Sequence, residues 1–244
     1  MRKIVYLLLF LSSVVMLRPA SEAEPATVAT QGEVELPESY YVALTFDDGP
    51  HDGTTERLLD GLRQRGASAT FFLLGREAEA HPELVLRIAA EGHQIGNHTW
   101  SHVRLAGEET QVFDAEVNRT ETVLQSLLGG SGYWIRVPYG LVDEAMLLQA
   151  KVPLVKWSID SRDWESRDKD AVVKEVSELM APNAIILMHD IYETTVDAAL
   201  ELIDRYQQQG YRFVTVEELL RLNGVEPRGG ALYRSGEGES PFIW

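Results

Sequence analysis

Short apolar runs alternate along the chain with stretches whose apolar residues recur every three or four positions. Val42-Ala43-Leu44-Thr45-Phe46, stopped by Gly49-Pro50, predicts a buried strand at about 40–46. Leu58, Leu59 and Leu62 share one face of 54–65, and Gly66 stops the helix they predict. A strand at 67–74 follows, then a helix opened by Pro82 and ended by Gly92, then a short strand at 94–97. Val112, Glu116, Val117, Val123, Leu124 and Leu127 fall at helical spacing in 110–128, which Gly129-Gly130 closes. The pattern continues with strands at 133–137, 154–159, 184–188 and 211–214 and helices at 143–150, 169–180, 194–209 and 216–222.

Such alternation predicts an α/β fold, a parallel sheet with helices outside it. No glycine-rich phosphate loop follows the first strand, which counts against a dinucleotide fold. A distorted (β/α) barrel of about seven or eight strands, one catalytic domain over 39–223, is the expectation.

The ends differ from this interior. Arg2 and Lys3 precede an apolar run from Ile4 to Leu17, and Ser21-Glu22-Ala23 places small residues where a signal peptidase reads them. Residues 1–23 therefore read as a secretory signal, with an uncleaved N-terminal membrane anchor as the alternative. The expected location is secreted or associated with the cell surface or wall. Residues 24–38 read as a flexible leader, and 224–244 as a glycine-rich polar tail ending Phe242-Ile243-Trp244. A formal charge of −16 argues against nucleic acid as a partner. There is no cysteine, so disulfides and thiolate metal sites are excluded. Nothing implies a stable protein partner, and a monomer is expected.

Asp47 and Asp48 sit together at the C-terminal end of the first strand, the end at which parallel α/β folds bind ligands. Two adjacent carboxylates repel, and a cation is the simplest offset. His98-Thr99-Trp100-Ser101-His102 supplies two imidazoles at i and i+4, which project from one helical face. Together these give a His-His-Asp donor set with open positions, the layout of a catalytic metal. Three more strand ends carry polar residues that a plain junction does not need: Arg136-Val137-Pro138-Tyr139-Gly140, Asp160-Ser161-Arg162-Asp163-Trp164 and Leu187-Met188-His189-Asp190. His51, His81 and His93 read as turn or helix-entrance residues, and Asp52, Glu165 and Asp168 as solvated or capping.

These five blocks, in this order, resemble the motifs of the polysaccharide deacetylase family, also described as the NodB-homology domain or carbohydrate esterase family 4. They are TFDDGP at 45–50, HTWSH at 98–102, RVPYG at 136–140, DSRDW at 160–164 and LMH at 187–189. The resemblance runs from about Tyr40 to Leu222. It implies a distorted (β/α) barrel and a divalent metal, usually zinc, on Asp48, His98 and His102. It further implies Asp47 as general base with Arg136 as its partner, and His189 as general acid oriented by Asp163. Tyr139 would offer a backbone N–H to the oxyanion, while Trp164 and Leu187 would wall the acetyl pocket.

The activity implied is removal of N-acetyl groups from polysaccharide containing N-acetylglucosamine; the expected export of the chain favours peptidoglycan, with chitin or chitooligosaccharide next. The rivals are O-deacetylation of acetylated xylan, a non-catalytic glycan-binding protein and a two-carboxylate glycosidase.

Overall fold

The structure is a computed structural model, and it describes residues 40–241. The expected signal, the leader and the terminal residues 242–244 lie outside the described residues. The order is β1 (Tyr40–Asp47), α1 (Thr54–Arg65), β2 (Thr70–Leu73), α2 (Gly75–Ala80), α3 (Pro82–Ala90), β3 (Gln94–Asn97) and α4 (Thr110–Leu128). Then come α5 (Glu144–Gln149), β4 (Leu154–Val155), β5 (Ile159–Asp160), α6 (Asp163–Ser166), α7 (Lys169–Leu179) and β6 (Ile185–His189). The last elements are α8 (Glu193–Gln207), β7 (Tyr211–Phe213), α9 (Val216–Leu222), β8 (Leu232–Ser235) and β9 (Gly238–Glu239).

β1 is the centre of the parallel sheet. The order is β3-β2-β1-β6-β5, and β7 also pairs with the start of β1. Side chains alternate across a strand, and on β1 the two sets have different destinations. Val42, Leu44 and Phe46 join the large outer core with Leu58, Leu59 and Leu62 of α1 and Val196, Leu202 and Ile203 of α8. Ala43 joins a smaller inner cluster with Phe72, Val155 and Ile185. Thr45 and Asp47 follow Ala43 on that inner side, so the alternation itself aims Asp47 into the barrel.

The ring is irregular at two of the expected strands. The expected strand at 133–137 is reduced to Ile135, which bridges Asn97 on one side and Leu154 on the other. The expected strand at 154–159 is split into β4 and β5, with three residues between them outside the ladder. An α/β fold with a parallel sheet flanked by helices, in the form of a distorted barrel, is the result.

Residues 232–235, expected in a tail, correct that reading. β8 pairs in parallel with β4, and Leu232 and Tyr233 are buried. Ser235 also bridges Ala184, just before β6. A chain segment that fills the gap beside the short β4 buries apolar surface that would otherwise face water.

Candidate active site

Five of the seven non-glycine residues with positive φ among the described residues lie in the polar blocks at the strand ends: Asp48, Thr99, His102, Tyr139 and Arg162. Left-handed backbone is unfavourable for residues with a Cβ, most of all for a β-branched one such as Thr99. It persists where the surroundings over-determine it, which is characteristic of sites.

This corrects the helical expectation for His98–His102. The segment is a loop, not a helix, and Thr99 at φ 70° and His102 at φ 61° turn it. The two rings nevertheless come together, with centroids 5.1 Å apart. The loop is held by Glu116 on α4, whose carboxylate accepts from the Trp100 and Ser101 amides at 3.0 and 2.8 Å. Glu116 also takes the Ser101 hydroxyl at 2.9 Å. An acid lying among apolar positions in the spacing of 110–128 was the signal for that support.

Asp48, His98 and His102 meet. One donor atom from each lies within 4.8 Å of the others. Asp48 Oδ1 is 3.5 Å from His98 Nε2 and 3.4 Å from His102 Nε2. That oxygen is buried and has no hydrogen-bond partner, which is costly for a carboxylate unless something binds it. His98 Nδ1 lies 2.7 Å from the Arg136 carbonyl, an acceptor, so Nδ1 carries the proton and Nε2 keeps its lone pair for the cluster. Burial and the neighbouring His98 lower the pKa of His102 against the pull of Asp48 and Asp47, which favours the neutral, ligating form. An oxygen and two imidazole nitrogens suit zinc or another first-row divalent ion, so the residues fit such a group.

Asp47 is 3% exposed and shares the interior with Arg136, which is fully buried. The guanidinium donates to Asp47 Oδ1 at 2.8 Å, to Thr45 Oγ1 at 2.7 Å and to the carbonyls of Val155 and Lys156 at 3.3 and 2.9 Å. Its plane lies over Phe72, 4.2 Å from the ring centroid. Burial pushes the Arg136 pKa down while Asp47 draws it back up. With its donors committed on several sides, the arginine fixes Asp47 and leaves Oδ2 free, 3.6 Å from His98 Nε2.

Across the sheet, Asp47 and His189 are register partners on β1 and β6. The parallel ladder therefore sets a carboxylate and an imidazole side by side at the strand ends. His189 Nδ1 is 2.8 Å from Asp163 Oδ1, and the His189 amide donates to Asp163 Oδ2 at 2.7 Å. Thr195 and the Trp164 amide also donate to this carboxylate, each at 2.8 Å. Burial alone would raise the Asp163 pKa, but the His189 bond and charge, with Thr195, hold it below the usual range. Burial likewise opposes charge on His189, yet Asp163, then Asp47 and Asp48, raise its pKa to about 9. The imidazole is thus charged at neutral pH; a cation at Asp48 would remove part of that push.

These groups line a cavity of about 320 Å³ together with Tyr139, Trp164 and Leu187. Tyr139, 60% exposed, packs the edge of its ring against His102, with centroids 4.7 Å apart. Asp160, the first residue of the DSRDW block, lines it too, as do Trp157 and Tyr192, which no sequence signal separated from ordinary loop residues. His51 and His81 stay outside the cavity; His81 pairs with Asp52 at 2.9 Å. Asp190 went unread for a different reason, since its block drew attention only to His189. It is fully buried, with its pKa raised to about 7 by burial against a bond from Thr55.

A barrel rim that holds a carboxylate and two imidazoles, faced by a second carboxylate and an imidazole–carboxylate pair, carries the kinds of group that metal-assisted hydrolysis uses. The chain belongs to the polysaccharide deacetylase family. The family profile described as "Polysaccharide deacetylase" matches residues 36–153. The chain is 37% identical over 183 residues to the peptidoglycan-N-acetylmuramic acid deacetylase PdaC of Bacillus subtilis (strain 168), covering 75% of this chain and 39% of that protein. The solved structure of PdaC superposes with a TM-score of 0.75 at 36% identity, over 77% of this chain and 93% of that one. A peptidoglycan-N-acetylglucosamine deacetylase of Bacillus cereus is 40% identical over 187 residues, 74% of this chain and 68% of the relative. A family 4 acetyl xylan esterase from Clostridium thermocellum, solved with a cobalt ion, has a TM-score of 0.75 at 29% identity, covering 80% and 98% of the two chains. This chain spans about two fifths of the length of PdaC.

Proposed function

We propose that the chain is a metal-dependent deacetylase that hydrolyses the acetamide of N-acetylated amino sugars in a polysaccharide, with peptidoglycan N-acetylglucosamine as the favoured substrate and chitooligosaccharides next. The observation that carries this is the meeting of Asp48, His98 and His102 within 4.8 Å beside the Asp47–His189 pair. A divalent ion on those three residues, zinc in our reading, would supply Lewis-acid polarisation of the amide carbonyl and make water a stronger acid.

Everything else is work for the chain's own groups. Asp47, oriented through Oδ1 by Arg136, takes a proton from the attacking water at Oδ2. The backbone N–H of Tyr139 supports the negative charge developing on the carbonyl oxygen. His189, held charged by Asp163, gives a proton from Nε2 to the departing amine. Trp164 and Leu187 line the cavity and exclude water around the acetyl methyl group. No nucleophilic side chain is needed.

The relatives named for peptidoglycan support the substrate class. The basic, apolar and small-residue succession at 1–23 supports action outside the cytoplasmic membrane. A second reading, O-deacetylation of acetylated xylan with the same residues, draws on the likeness to an acetyl xylan esterase. Acetate release from peptidoglycan, chitooligosaccharides and acetylxylan, each with and without a chelator, tests both. Chelator-sensitive release that is fastest from peptidoglycan is expected. Release only from acetylxylan would favour the second reading, and no release from any glycan by metal-replete protein would defeat both.

A further inference from the structure

Asp190 is a buried carboxyl that the mechanism above leaves idle. It directly follows His189, is 0% exposed, and has no arginine, lysine or histidine within ion-pair distance among the described residues. Its Oδ1 has no hydrogen-bond partner. A buried, half-satisfied carboxyl of this kind lowers stability relative to an apolar side chain, so its packing partners are informative.

On one side, Asp190 Oδ2 accepts the hydroxyl of Thr55, itself fully buried in the first turn of α1. The same Thr55 oxygen accepts the amide of His51 at 2.9 Å. On the other side, the carboxyl lies against Gly49: a Cβ built there would stand 2.5 and 2.7 Å from its two oxygens. The Gly49 carbonyl in turn takes the Leu74 amide at 3.1 Å. The loop from Asp48 to His51 is therefore gripped by Leu74, just past β2, on one flank and by Asp190, just past β6, on the other. Asp48 begins that loop in a left-handed conformation, φ 73°, which needs such support.

We propose that Asp190 is a positioning residue that clamps the Asp48–His51 loop, through Thr55 and the bare Cα of Gly49, so that Asp48 is presented to His98 and His102. This rests on the reading of those three residues as metal ligands. It also makes one tetrapeptide, Leu187 to Asp190, serve the acyl pocket, the general acid and the metal-ligand loop together.

The test reads metal affinity, not turnover. Zinc affinity of the full chain is measured by competition with a chromophoric chelator for the wild type, Asp190→Ala, Asp190→Asn and Thr55→Val. Asparagine keeps an oxygen for the Thr55 hydroxyl, whereas alanine and valine break the link. Asp190→Ala is expected to bind zinc about 10–100-fold more weakly, as outer partners of ligands do. Asp190→Asn should stay within about threefold of the wild type and Thr55→Val should fall between the two. A folded Asp190→Ala with wild-type affinity overturns the clamp, as does an Asp190→Asn that binds as weakly as Asp190→Ala. If Asp190→Ala does not fold, Thr55→Val decides: a loss of at least about threefold supports the clamp, and no loss overturns it. A wild type that binds no zinc would sink the proposed function instead. The clamp is then read from amide exchange of residues 48–55 in metal-free protein, where Thr55→Val must speed exchange if it holds and overturns it if exchange is unchanged.

Discussion

Among the described residues, two groups of carboxylates and imidazoles bring their donor atoms equally close together, and their surroundings differ. Asp48, His98 and His102 form one; Asp52, His81 and Glu83 form the other, also with donor atoms within 4.8 Å. In the second, Asp52 and Glu83 are 75% and 68% exposed, and His81 Nδ1 is already paired with Asp52. That is an ordinary surface pair, screened by water and salt. In the first, the oxygen facing the imidazoles is buried without a partner, and the far nitrogen of His98 is tied to a backbone carbonyl. Proximity of donors does not make a metal centre. A buried, unmet acceptor and an anchored imidazole are what single out the first set as the candidate.

The largest effect that would sharpen this contrast is loss of the buried set. Asp48→Ala or His98→Ala should weaken metal binding by more than about 100-fold, beyond an outer-partner change, and take turnover to background. Equilibrium dialysis with elemental analysis checks the first, and acetate release the second. Next, Asp47→Asn should leave metal content unchanged while kcat falls by about 10²–10⁴, because the base is lost and the ligands are not. Near-normal turnover would remove Asp47 from the mechanism.

A smaller effect separates the acid pair. His189 must be protonated to give up a proton, so kcat should fall with rising pH on a limb below the metal-free value of about 9, because a cation at Asp48 weakens the push that sets that value. Asp163→Asn should move that limb towards 6.5, the ordinary histidine value, and lower kcat by about 10–100-fold. The same pair carries a stability signature in metal-free protein. The folded pKa lies above the unfolded one, so its contribution is complete below 6.5 and is lost as pH rises through about 9. Thermal midpoints should drop over that window in the wild type and less in Asp163→Asn. Smallest of all, His81→Ala should leave metal content and kcat unchanged and shift stability by no more than about 0.5 kcal/mol. A lost ion in that variant would break the comparison.

Much of this was legible in the chain. The β1 run, the Leu58–Leu62 face and the Pro82–Gly92 helix carry strong periodicity and clear stops, and they stand within a residue or two of where the pattern put them. The chemistry-bearing blocks were readable because strand ends do not otherwise need paired carboxylates or histidines. What escaped depends on the third dimension. Two imidazoles at i and i+4 suggest a helical turn, yet left-handed residues at 99 and 102 bend a loop to the same end, and a spacing rule cannot distinguish them. The pattern put a whole strand at 133–137, yet only Ile135 pairs there, by two single bridges. Leu232 and Tyr233 lie between glycines, too short an apolar run to announce a strand, and are buried because β4 lacks a neighbour. Asp190 went unread because nothing in its sequence neighbours reveals that Gly49 and Thr55 close over it.

Metal stoichiometry by elemental analysis tests the centre most directly, on metal-replete, desalted wild type, Asp48→Ala and Asp52→Ala. The account predicts one divalent ion per chain in the wild type and in Asp52→Ala, and none in Asp48→Ala. An ion retained by Asp48→Ala, or lost from Asp52→Ala, would contradict it.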